Sequence, residues 1–179
     1  MRTLAAATGA LIVVAAGAAA AQGLTREEAL AAVFAGAAIR GEQVFLSPSQ
    51  QKHVLMRAAV EVPSALVARY VATKDGKVVG RAYVDTHVVR TKRESLLVSL
   101  DNEGQVLRID VTAFLEPSEY RASDPWLRQY RDRVLDEDLG VNRAIRPMAG
   151  ATLTARAINT AVRRVLAIDE VLEKRGPAQ

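Results

Sequence analysis

The sequence has no cysteine, which removes disulfides, thiolate metal ligands and cysteine nucleophiles together. It has two histidines, His53 and His87, too few for a multi-histidine metal site or a histidine-rich haem arrangement. Aromatic residues make up 4% of the 179 positions and Trp126 is the single tryptophan, so the stacking surfaces of a nucleic-acid binder are missing. The formal charge of +4 comes from 24 basic and 20 acidic residues scattered along the chain rather than gathered into a stripe, and nucleic acid is not expected as a partner. There is no nucleophile elbow and no histidine with a placed serine, so a hydrolase triad is not expected either. Redox chemistry in such a chain requires an organic cofactor.

What is present is 50% hydrophobic, enough for one domain with a real core. Residues 1–21 read as a secretory signal peptide: Arg2, then an uncharged Ala, Val, Leu and Ile run from Leu4, then the small residues Ala19-Ala20-Ala21 before Gln22. Cleavage is expected after Ala21. The competing reading is an uncleaved anchor, because the apolar run approaches the ~18 residues that span a bilayer. Either reading places the remainder outside the cytoplasm, in the periplasm or an equivalent compartment, with or without association to the membrane.

Residues 22–64 are expected to be helical. Thr25-Arg26-Glu27-Glu28 fits a capping box leading a helix to about Phe34, Gly36 and Gly41 break it, and Ser47-Pro48 starts a second helix to about Ala59. From Ala65 the period changes to that of strands, with turns at Lys74-Asp75-Gly76-Lys77 and Asp101-Asn102-Glu103-Gly104. Four strands in an antiparallel meander are expected, the second spanning Val78 to Val84. A short helix is expected near Trp126 to Val134. Ile158, Val162, Val165, Leu166, Ile168 and Leu172 recur at helical spacing, with Arg156, Arg163, Arg164 and Glu173 off that stripe, and Gly176-Pro177 stops the helix. The fold class is therefore α+β, an antiparallel sheet with N-terminal helices and a long C-terminal amphipathic helix.

The segment before that helix, Gly150-Ala151-Thr152-Leu153-Thr154, carries the strongest chemical signal. Gly150 and Ala151 remove bulk where a ligand can approach the backbone, and unpaired amides at a helix start favour a phosphate. A threonine N-cap after a small-residue turn accounts for the same residues.

Gly150-Ala151-Thr152-Leu153-Thr154 followed by Ala155-Arg156-Ala157-Ile158 resembles the flavinylation motif of the FMN-binding domain family, which includes the peripheral flavin subunits of the Rnf complex and of the sodium-translocating NADH:quinone oxidoreductase. Asp75-Gly76-Lys77-Val78-Val79-Gly80 is similar to the family's first hairpin, and the likeness runs from about Tyr70 to Ile168 within an FMN-binding domain of residues 65–175. Ala149 stands where the family usually has serine or threonine, and Arg146 where it often has aspartate.

The resemblance implies an exported electron carrier holding FMN by a phosphoester to Thr152, attached by a separate flavin transferase from FAD with magnesium, and serving a membrane-bound electron-transfer complex. It implies that Gly150, Ala151 and Leu153 surround the link and that Thr154 and the following amides bind phosphate oxygens.

Asp85-Thr86-His87-Val88-Val89-Arg90-Thr91 gathers an acid, a histidine and an arginine where the second strand is expected to end. Asp85 and His87 are candidates for lining the flavin ring, with a polar loop holding an internal ion pair as the alternative. Glu116 and Tyr120 sit where the resembled family has a glutamate-rich, proline-containing loop near its flavin, and turn chemistry competes with that role. Trp126 and Tyr130 are expected in the core. Two rival functions stand beside the carrier: a small flavin-dependent reductase of a soluble substrate, with a deep pocket beside Asp85 and His87, and a flavin-free exported binding module in which Thr152 is only a cap.

Overall fold

A computed structural model describes residues 24–174; the expected signal peptide and the Gly176-Pro177 stop lie outside them. The elements run α1 (Arg26–Val33), β1 (Ala38–Phe45), α2 (Pro48–Ala58), β2 (Leu66–Lys74), β3 (Lys77–Val88), β4 (Arg93–Asp101), β5 (Val106–Phe114), α3 (Asp124–Leu127) with a 3-10 turn over Arg128–Tyr130, and α4 (Thr152–Leu172). The strands form one five-stranded antiparallel sheet in the order β1-β2-β3-β4-β5, and the α+β class holds.

Both N-terminal helices start on capping boxes. Thr25 and Glu28 exchange side-chain and backbone bonds at α1, and Ser47 and Gln50 do the same at α2, each box satisfying amides that a helix start leaves without partners. Asp75 and Gly76 both take positive φ, 51° and 75°, as a two-residue hairpin between Lys74 and Lys77 requires.

Two strands depart from the sequence expectation. β1 is a fifth strand inside the stretch expected to be helical, pairing with β2 from Ala38↔Thr73 to Phe45↔Leu66. It lies at the sheet edge and buries little, so it lacks the apolar alternation that marks a half-buried strand. β3 runs on to Val88, so Asp85, Thr86 and His87 are strand residues rather than a loop leaving one.

α4 packs on one face of the sheet beside α2, and most of the core lies there, including Tyr83, Leu96, Val98, Leu100, Ile158 and Val162. α1 covers part of the other face, burying Ala29, Leu30 and Phe34 against Ala72, Ala82 and Leu97. Gly80 permits this approach, because a Cβ there would fall on the Phe34 ring and the Leu100 carbonyl. Tyr130 is fully buried and Trp126 packs partly buried against the same core, their rings edge to face with centroids 5.7 Å apart. The short helix expected over Trp126 to Val134 is instead α3 and its 3-10 turn, ending at Tyr130. Among the described residues no helix is long and apolar enough to cross a membrane.

Candidate functional site

The start of α4 is built by a tight turn. Ala151 N–H bonds the Met148 carbonyl at 3.2 Å, and Gly150 between them has φ +74°, a left-handed conformation that disfavours any Cβ. Around Gly150 the space is open, with nothing within 4 Å of where a Cβ would stand. The N-cap of α4 is Ala151, which offers no side-chain acceptor, and Thr152 is the first helical residue, its side chain exposed. The threonine cap weighed from the sequence is thus not formed. The first-turn amides keep the positive end of the helix dipole without a capping side chain.

The other motif residues divide by helical geometry. Leu153 is 46% exposed beside Thr152, whereas Ala151 and Thr154 are buried. Positions two apart on a helix point to nearly opposite sides, so an exposed Thr152 turns Thr154 inward. The Thr154 hydroxyl therefore does not share the exposed surface of Thr152.

Asp85 and His87 belong to a second site. Arg164 of α4 grips Asp85 through two bonds, Nε to Oδ2 at 2.8 Å and Nη2 to Oδ1 at 2.9 Å. His87 Nδ1 lies 3.0 Å from Asp85 Oδ1, and its Nε2 lies 3.0 Å from Glu94 Oε2 on β4. Asp85, Glu94 and Arg164 are all buried. Burial opposes the charge on His87, but its bonds to Asp85 and Glu94 and their negative charges prevail and push its pKa up to about 9. Burial likewise works against the Asp85 carboxylate, and the bonds from His87 and Arg164 hold its pKa below the usual value. The imidazole is thus a cation near neutral pH, donating from both nitrogens.

Glu94 and Arg164 were not among the sequence-derived site residues. Helical spacing sets Arg164 off the buried stripe, yet it is 6% exposed, because α4 is covered by both the sheet and α2 and buries a broad arc. A cleft of about 290 Å³ opens beside this group, lined by Gln43, Ser64, Tyr83, Asp85 and Arg164 but not by His87. Both Asp85 oxygens already have partners there.

Arg164 lies 12 residues after Thr152, about 18 Å along the helix axis at the ~1.5 Å rise per residue. The Arg164–Asp85 pair is therefore set well along α4 from Thr152, and the side chains that His87 bonds are Asp85 and Glu94 rather than any of residues 150–154.

Glu116 has a third setting. Its Oε1 accepts from the backbone N–H groups of Arg90, Thr91 and Lys92 at 3.2, 2.8 and 2.9 Å, which closes the β3–β4 loop and lowers the Glu116 pKa. The Arg90 guanidinium stacks over the Tyr120 ring 4.3 Å from its centroid. Glu116 thus holds the β3–β4 loop, and Tyr120 lies under Arg90 of that loop.

A larger cleft of about 500 Å³ beside β5 is lined by Arg108, Asp110, Arg121, Arg128 and Arg131, and by none of the sequence-derived residues. Among the described residues no group of three or more His, Asp or Glu side chains is placed to hold a metal ion. Compared with protein-family models, with curated proteins and with solved structures, the chain matches none.

Proposed function

We propose that this chain is an exported FMN carrier, with the flavin phosphate esterified to Thr152, exchanging electrons with a membrane-bound redox complex. The observation that carries the reading is that Thr152 stands exposed at the first position of α4 while Ala151 occupies the cap. Its hydroxyl has no capping work, and the open ground at Gly150 leaves room for a phosphoester.

The residues fit the group chemically. In the attachment step Thr152 Oγ1 would attack the phosphorus on the flavin side of FAD; the bond to the AMP phosphate would break, AMP would leave with the electron pair, and the hydroxyl proton would go to a base or solvent. No electron is gained or lost in this step, and the transferase supplies magnesium. The first-turn amides of α4, without a capping side chain, would hold the phosphate at the positive end of the helix dipole. FMN supplies the one- and two-electron chemistry, and the chain supplies attachment and orientation. A tether suits an exported protein, since it keeps the cofactor at a high effective concentration where a dissociated one is diluted away.

The reductase reading is less well supported, because the cleft beside Asp85 excludes His87 and meets a carboxylate already saturated by Arg164 and His87. In-gel flavin fluorescence of denatured protein co-produced with a flavin transferase tests the proposal. A fluorescent band that survives denaturation and disappears in Thr152→Ala, but not in Thr154→Ser, is expected. A dark wild-type band overturns it.

A further inference from the structure

Arg146 is held on both sides of its Cα by side chains of one distant segment. Its N–H donates to Gln129 Oε1 at 2.9 Å, and its carbonyl accepts from Trp126 Nε1 at 2.9 Å. The two gripping residues are tied to each other, because Gln129 Nε2 donates to the Trp126 carbonyl at 3.0 Å. Their segment is anchored in turn: Leu127 and Tyr130 are buried, and the Tyr130 hydroxyl bonds Asn159 Oδ1 of α4 at 3.1 Å. Together Trp126 and Gln129 offer Arg146 one acceptor and one donor, as a neighbouring β-strand would.

Little freedom is left between this clamp and Thr152. Pro147 has its φ fixed by the ring. Met148 packs partly buried against the core, and its carbonyl closes the turn onto Ala151 N–H. Gly150 sits at φ +74° inside that turn, and α4 begins at the next residue but one. A shift at Arg146 is thus passed to Thr152 through a proline and one closed turn. The clamp holds backbone, and the Arg146 side chain is exposed, so this grip does not require the aspartate that the resembled family often has there.

We propose that Trp126 and Gln129 are positioning residues for flavin attachment, holding the 146–151 segment so that the Thr152 hydroxyl meets the transferase in one geometry. This rests on Thr152 being the acceptor. The side chains do not touch the reacting atoms; they act through the Arg146 backbone. Their bonds are near the surface, where a single neutral hydrogen bond contributes modestly to folding. Group transfer is far more sensitive to the placement of the attacking oxygen. A positioning role therefore predicts a large loss of attachment rate with little loss of stability, and a merely structural role predicts the reverse.

The test uses full-length mature protein, purified flavin transferase, FAD and magnesium, with initial attachment rates read well below Tm. Trp126→Phe keeps an aromatic ring, smaller than the indole, and removes the indole N–H. Gln129→Leu removes both the acceptor and the donor of the side-chain amide, and Gln129→Glu keeps an acceptor for Arg146 N–H. Trp126→Phe and Gln129→Leu are expected to slow attachment by about tenfold to a hundredfold. Their Tm should stay within about 4 °C of wild type. Gln129→Glu should recover most of the rate. Amide exchange at Arg146 should quicken in Trp126→Phe and Gln129→Leu, a readout that needs no flavin. Wild-type attachment rates in these two variants overturn the positioning role, as does a rate loss that only tracks a fall in Tm. Absence of any adduct on the wild-type chain overturns the function proposed above, and the positioning role with it.

Discussion

Arg164 and Asp85 meet as a two-bond buried pair, Nε to Oδ2 at 2.8 Å and Nη2 to Oδ1 at 2.9 Å, joining α4 to β3 across 79 residues of sequence. Removing one partner strands a buried charge. Arg164→Met is expected to lower the unfolding free energy by about 3–5 kcal/mol, read from urea unfolding curves. Because the pair lies about 18 Å along α4 from Thr152, folded Arg164→Met should still accept flavin at the wild-type rate. A stability change within experimental error would count against the buried pair, and loss of attachment in folded protein would count against the separation of the two sites.

His87 gives a pH signature. Its pKa rises from 6.5 to about 9 on folding, so the folded state binds this proton more tightly. The stabilisation is complete below pH 6.5 and is lost as pH rises through about 9. Wild-type unfolding free energy should therefore fall more steeply over that window than that of His87→Gln, which has no proton to release there. Parallel pH profiles would contradict the doubly bonded imidazolium.

Two glycines separate backbone strain from crowding. Gly150→Ala meets open space at φ +74°, so it should cost only the left-handed conformation, about 1–2 kcal/mol. Gly80→Ala drives a methyl into the Phe34 ring and the Leu100 carbonyl, and should be the more damaging in thermal unfolding. The reverse order would mean that Phe34 does not lie against Gly80 as described.

Much of the fold was legible because its signals are local. Asp75-Gly76 and Ser47 with Gln50 state their turn and cap within a few residues. β1 was hidden because Arg40, Gly41 and Glu42 interrupt any alternation, and an edge strand buries too little to need it. The polar run Asp85-Thr86-His87 looks like a loop until its partners are known: Glu94 lies across the β3–β4 hairpin, and Arg164 is 79 residues from Asp85. The same limit made Arg164 look like a surface arginine. For the motif, the sequence marks Gly150 and Thr152, but only the structure places the cap at Ala151 and turns Thr154 inward.

The central claim is that Thr152 carries the flavin, and peptide mass spectrometry of protein co-produced with a flavin transferase and exported tests it most directly. The account predicts that the peptide containing Thr152 gains the mass of one FMN less one water, with fragmentation placing it on Thr152, and that Thr152→Ala carries none. An unmodified Thr152 peptide, obtained with a transferase that loads a known acceptor in the same cells, would contradict it.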